Sequence, residues 1–222
     1  QEKLLKNGKN TAILFSQWLH ESDAKNLEFK ISAKFRPMAP KFSSFTDYKF
    51  TDDTSAFESE SKELLSGSLD EKGYFNGDID LGVSSDPGGM LKVVFDTKVF
   101  EAGGDYSIEK NSFEMHHYDS YVGLKTPKGD ASRNMLLTDE THKLSIATVD
   151  KNGKALSNVP VEVTFYKIKW RWWWEKGVET LANVTTSYST RALANGEVIS
   201  KDGLAQFDFE VLSNPIFLCS KT

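Results

Sequence analysis

Residues 26–35 read NLEFKISAKF, and their alternation is unbroken. Leu27, Phe29, Ile31, Ala33 and Phe35 fall on one side, while Glu28, Lys30, Ser32 and Lys34 fall on the other. Successive side chains of a strand point to opposite faces, so this period of two puts five apolar groups on one surface. One dry face and one wet face are the mark of a strand in an antiparallel sheet packed on a core.

The same pattern returns along the chain. GYFNGDIDL (73–81) turns Phe75, Ile79 and Leu81 inward, and LAQFDFEV (204–211) turns Ala205, Phe207, Phe209 and Val211 inward. LKVVFDTKVF (91–100) is more fully apolar, as a central strand would be. Turn signals separate these runs: DEKG at 70–73, DPGG at 86–89, KNG at 151–153 and KDG at 201–203. Short strands punctuated in this way predict an all-β protein of antiparallel β-sandwich type. No stretch reads as a convincing helix; SESKELLSG (59–67) could form a turn but is too short to assign.

The chain also resembles itself. Gly73–Leu81 matches Gly203–Val211 at an offset of 130, and Asn26–Ile31 matches Asn158–Val163 at an offset of 132. Two segments in the same order at nearly one offset predict two similar domains in tandem, 1–115 and 116–222, with the seam in EMHHYDSYVG (114–123). A length of 222 residues suits two sandwiches of ordinary size.

The totals exclude several partners. A formal charge of −5 with no basic run argues against nucleic acid. No apolar stretch reaches the roughly 18–20 residues of a membrane span. QEKLLKNGKNTAILF lacks the apolar core of a signal peptide, so the chain reads as cytosolic or as a piece of a longer exported product. VLSNPIFLCSKT (211–222) points to the latter.

Catalytic signals are missing. His116 and His117 are adjacent and so face opposite ways on a strand; with no supporting ligand spacing they read as linker residues, not a metal site. No GxSxG elbow accompanies the serines, and Cys219 has no visible base or cationic neighbour. The glycines of PGG (87–89) and AGG (102–104) are not followed by a helix and read as turns. Asp52-Asp53 and the pair Asp78 and Asp80 fit no EF-hand loop. The reading is of a non-enzyme without catalytic residues, metal or cofactor.

WRWWWE (170–175) holds four of five tryptophans. Ahead of it, Val161, Val163 and Phe165 alternate inward; beyond Phe165 the apolar positions become Tyr166, Ile168, Trp170, Trp172 and Trp174. The apolar face has changed sides, which requires a bulge or a different neighbour for the second half of the strand. Trp170, Arg171, Trp172, Trp173 and Trp174 are therefore the candidate interface, as packing cover between domains or against a missing neighbour. An extracellular Ig-like module presenting them to glycan or protein is the alternative. Insertion into a membrane fits less well, because the chain is not otherwise basic.

FSQWLHESDAKNLEF (15–29), FRPMAPKFSSFTDYKF (35–50), GGMLKVVFDTKVFEAGGDYS (88–107), YVGLKTP (121–127) and VEVTFYKIKWRWWWE (161–175), in this order, resemble bacterial alpha-2-macroglobulins, especially those of Bacteroidetes type. The resemblance implies two consecutive macroglobulin domains from the middle of a larger chain, each a seven-stranded, fibronectin-like sandwich. It implies a protease trap, an endopeptidase inhibitor that cages its attacker after a bait segment is cut. It further implies export to the periplasm or cell envelope, with the parent lipid-anchored, and as partners the parent's remaining domains and, through them, target proteases. The CxEQ thioester motif found in many members does not occur here, since the one cysteine lies in CSKT. No bait segment or anchor is recognisable, so no functional residue of the family can be placed on a position of this chain.

Overall fold

The computed structural model describes residues 4–5, 10–172, 184–211 and 217–218. Among these the fold is all-β; the one helical element is the 3-10 turn Ser43–Phe45. Two compact units emerge, one of residues 1–40 and 55–119, the other of residues 41–54 and 120–222.

The first unit holds β1 (Leu4–Leu5), β2 (Asn10–Phe15), β3 (Glu28–Met38), β4 (Glu60–Ser68), β5 (Tyr74–Ile79), β6 (Met90–Phe100) and β7 (Tyr106–His116). A five-stranded sheet runs β1-β7-β6-β3-β4, and β2 pairs with β5 in a two-stranded sheet. All neighbours are antiparallel except the short parallel pair β1 and β7. The alternation of residues 26–35 becomes the core: Phe29, Ile31, Ala33 and Phe35 are buried, with Leu27 packed against them. Leu91, Val93 and Phe95 of β6 and Met115 of β7 complete the floor, and Ala12, Leu14, Phe75 and Ile79 cover it from the smaller sheet. As the fully apolar run implied, β6 is central, between β7 and β3.

SESKELLSG is strand, not turn. It supplies most of β4, which pairs with β3 along its length. The register slips between Ile31, opposite Leu65, and Ser32, opposite Glu63, so Leu64 is an extra residue. The slip lets the adjacent Leu64 and Leu65 both pack on the core. That adjacency hid the strand, because two neighbouring apolar residues violate a period of two.

The second unit holds β8 (Ser120–Lys125), β9 (Thr141–Asp150), β10 (Pro160–Trp172), β11 (Val184–Ile199), β12 (Leu204–Glu210) and β13 (Phe217–Leu218). Its sheets are β12-β9-β8 and β11-β10-β13. Val161, Val163 and Phe165 of β10 meet Leu144, Ile146, Phe209 and Val211 in the core. The Phe165 ring lies 4.5 Å from that of Phe209 and 5.6 Å from that of Phe207.

The internal likeness reaches individual backbone bonds. Asn26 and Asn158 both take positive φ, 56° and 60°, two residues ahead of β3 and β10. Asparagine tolerates this conformation better than most residues. The Asn26 amide donates to Asp70 O and the Asn158 amide to Ser200 O, three residues before Gly73 and Gly203 in turn. Those glycines have φ of 72° and 78°. Gly73 O accepts from Ser16 N and Gly203 O from Thr148 N, while Ser16 O accepts from Ala24 N and Thr148 O from Leu156 N. Even the register agrees, since Phe15 opposes Tyr74 as Ala147 opposes Leu204. Both units are built on one frame, at the offsets read from the sequence.

Candidate functional site

The tryptophan segment begins in strand. Trp170, Arg171 and Trp172 close β10, opposite Thr186, Thr185 and Val184 of β11. Trp173 and Trp174 lie outside the described residues. The pairing of β10 with β11 is regular from Pro160 to Phe165 and again from Ile168 to Trp172, with register shifts at Phe165–Tyr166 and Tyr166–Ile168. From Phe165 to Ile168, β10 advances three residues while β11 advances six, from Ala194 back to Tyr188. The ladder thus breaks where the apolar positions change sides, and the extra residues stand on β11.

Residues 41–54 gave no strand or helix signal, yet they build a second apolar layer in the second unit. Phe42, Phe50 and Tyr121 are buried with Ala147 and Val149, and Phe45 and Tyr48 pack alongside. Phe42 and Phe50 meet edge to face with centroids 4.8 Å apart, and Phe42 lies 5.7 Å from Tyr121. Two such rings stabilise the layer by about 1.5–3 kcal/mol each through burial alone. Lys49 and Leu124 exchange a pair of backbone hydrogen bonds of 2.9 Å, which fixes the segment against β8. The Phe50 ring rests on Gly123: a Cβ there would stand 2.5 Å from Phe50 Cε1. The β9 strand is consequently buried on both faces, Leu144 and Ile146 on one and Ala147 and Val149 on the other.

An ion pair ties the same segment down from outside. Lys125 Nζ lies 2.8 Å from Asp47 Oδ2. That hydrogen bond and charge hold the Asp47 carboxyl below its ordinary 3.8 and raise Lys125 above its ordinary 10.5. Asp150 is lowered chiefly by the Lys154 amide, in the KNG turn, and Asp130 by the Arg133 amide. Glu60 is lowered by the amide and hydroxyl of Ser84.

His117 is a working part of the first unit and not a plain linker. Its side chain is 1% exposed, and Nε2 lies 3.0 Å from Asp86 Oδ1. The Tyr118 hydroxyl donates to Pro87 O at 2.6 Å. Together they fasten the DPGG turn to the end of β7. The doublet looked featureless in sequence because its partner lies 31 residues away. Among the described residues no three His, Cys, Asp or Glu side chains gather as metal ligands. Nor is any helix there long and apolar enough to cross a membrane.

Comparison with known proteins gives two consecutive matches. Residues 1–112 match the bacterial alpha-2-macroglobulin MG5 domain, and residues 123–213 match bacterial macroglobulin domain 6. An alpha-2-macroglobulin homolog of Yersinia pestis is 31% identical over 116 residues, which are 52% of this chain and 6% of that protein. The native conformation of Escherichia coli alpha-2-macroglobulin shares the fold with a TM-score of 0.62 at 14% identity, over 96% of this chain and 14% of that one. The Escherichia coli protein activated by porcine elastase matches with a TM-score of 0.56 at 14% identity, over 95% of this chain and 21% of that one. The chain therefore spans a small part of the length of these relatives. Two repeated sandwiches, each carrying its own domain match in the order five then six, show that this chain belongs to the bacterial alpha-2-macroglobulin family.

Proposed function

We infer that these two domains are scaffold within a bacterial alpha-2-macroglobulin-like endopeptidase inhibitor, one that traps proteases after bait cleavage. The observation that carries this reading is the pair of domain matches, in order, on a chain that spans 14% of the Escherichia coli alpha-2-macroglobulin chain. A related structure bearing the mark of a protease, the elastase-activated Escherichia coli protein, supports it. The domains have no catalysis of their own in this reading; their part is to hold the geometry that the larger protein changes when cut. Their partners are its remaining domains and, through these, the target proteases. The parent is exported to the periplasm or cell envelope and lipid-anchored. Domain limits of 1–115 and 116–222 belong to the same proposal.

Trp170, Arg171, Trp172, Trp173 and Trp174 serve here as packing cover. The broken register between β10 and β11 supports this, since the pairing slips where the apolar positions of the sequence change sides. A Trp170→Ala/Trp172→Ala variant should lower the melting temperature of the chain or of the longer protein. No change in either would remove the packing role and leave glycan or protein binding, read by tryptophan fluorescence.

The function is tested on the longer protein mixed with a broad-specificity protease. Cleavage of a large protein substrate should be blocked while a small peptide is still turned over, as a cage requires. Equal turnover of both substrates at every ratio would contradict the inhibitor reading.

A further inference from the structure

The shared frame exposes a difference. On β9, Leu144 and Ile146 face the inner core, whereas Ala147 and Val149, both 0% exposed, face outward beneath Phe42 and Phe50. On β2, Ala12 and Leu14 face the inner core in the same way. Ile13 and Phe15 face outward, but they are 60% and 56% exposed, and Tyr74 beside them on β5 is 45% exposed. Phe15 stands where Ala147 stands in the repeat, because Phe15 opposes Tyr74 as Ala147 opposes Leu204. The Phe15 and Tyr74 rings are already paired, with centroids 5.7 Å apart.

We propose that Phe15, with Ile13 and Tyr74 at its rim, forms the docking surface for an apolar segment of another macroglobulin domain of the same protein. The occupant is the connection between that domain's counterparts of β3 and β4. In this chain that connection contains residues 41–54, which belong to the second unit and cover Ala147 and Val149 on the outward face of β9, while Leu204, which stands where Tyr74 stands, stays 46% exposed at the rim. A preceding domain built on the same frame would supply its own connection to β2 and β5. Relatives leave ample chain for such a domain, since this one covers 14% of the Escherichia coli protein. The apolar bulk sits on the sheet here, in Phe15 and Tyr74, whereas in the second unit it sits on the cover, in Phe42 and Phe50. The occupant therefore presents smaller apolar side chains at its centre, with a backbone stretch able to lie across β2. Large apolar groups clustered on one face of a sheet are a common mark of an interaction site.

This inference rests on reading the chain as part of a larger inhibitor, and the test separates the two. Hydroxyl-radical footprinting with mass spectrometry is run on the 222-residue chain and on the longer protein that includes the preceding domain, with radical dose normalised on an added reporter peptide. Phe15 should be oxidised at least about five-fold more slowly in the longer protein, and Ile13 and Tyr74 less markedly so, because a docked segment excludes water from the centre of the contact more than from its rim. A Phe15→Ser/Tyr74→Ser variant removes the ring pair in both proteins and should lower the melting temperature of the longer protein clearly more than that of the shorter chain; equal losses overturn the proposal. Equal oxidation in the two proteins overturns the proposal. Protection that grows with concentration in the short chain alone also overturns it, in favour of a second copy. Protease trapping is read on the same preparation. Trapping without protection sinks the docking surface and leaves the inhibitor reading standing; protection without trapping does the reverse.

Discussion

β2 and β9 hold the same place in the repeated frame, but their outward faces differ. Their inward faces both meet a core, with the partly buried Ala12 and Leu14 in one unit and the buried Leu144 and Ile146 in the other. Outward, β9 carries small residues under an aromatic layer, and β2 carries exposed aromatic and aliphatic groups. A common frame thus fixes one core per domain, while a second, outer layer is supplied by chain that sits elsewhere in the sequence. In the second unit the outer layer comes from a connection, residues 41–54, and not from a strand.

The largest effects should come from the shared inner cores, where the comparison predicts equality. Phe35→Ala in the first unit and Phe165→Ala in the second, at 0% and 1% exposure, should each cost about 3–5 kcal/mol in denaturant unfolding. A cost confined to one unit would show that only one of the two cores depends on its buried phenylalanine. Next stands the outer layer of the second unit. Phe50→Ala should cost about 2–4 kcal/mol, and Gly123→Ala, whose Cβ would press into the Phe50 ring, about 1–3 kcal/mol. The latch at the end of β7 follows: Asp86→Ala leaves the buried His117 imidazole without its carboxylate and should cost about 1–3 kcal/mol, whereas Asp86→Asn, which keeps an acceptor, should cost less.

Acid should loosen the outer layer. The Asp47 carboxyl is held below its unfolded value of 3.8 by Lys125. A carboxyl depressed in the folded state contributes stability that is present above its unfolded value and lost as pH falls through its folded one. Asp150, Asp130 and Glu60 are depressed as well and act in the same direction. The melting temperature should hold steady through neutral pH and fall as pH drops below the ordinary carboxylate values, with the fall reduced in an Asp47→Asn variant. The smallest effect is expected at the uncovered face: Phe15→Ser, which removes the ring beside Tyr74, should cost this chain about 0.5–1 kcal/mol. A clearly larger loss would mean that Phe15 is already covered.

Much of this fold was legible because it is local. A period of two assigned the inward residues of β3, β5, β10 and β12, and positive-φ asparagines and glycines marked the corners shared by both units. The register break in β10 was legible too, since a change of apolar face cannot be made by a regular ladder. Strand β4 escaped because its bulge sets Leu64 beside Leu65 and breaks the alternation. The segment 41–54 escaped for a deeper reason: FSSFTDYKF has no period, and its partners Tyr121, Ala147 and Val149 lie 70 or more residues away. The close approach of Phe50 to Gly123 and the union of His117 with Asp86 are likewise long-range facts, invisible to spacing.

The claim that the outer layer belongs to the second unit has a direct test in hydrogen exchange on a Phe50→Ala chain. In sequence Phe50 lies between β3 and β4, strands of the first unit. The account predicts that protection falls in β8 and β9, residues 120–125 and 141–150, while β3 and β6 keep theirs. Lost protection in β3 and β6 with β8 and β9 unchanged would contradict it.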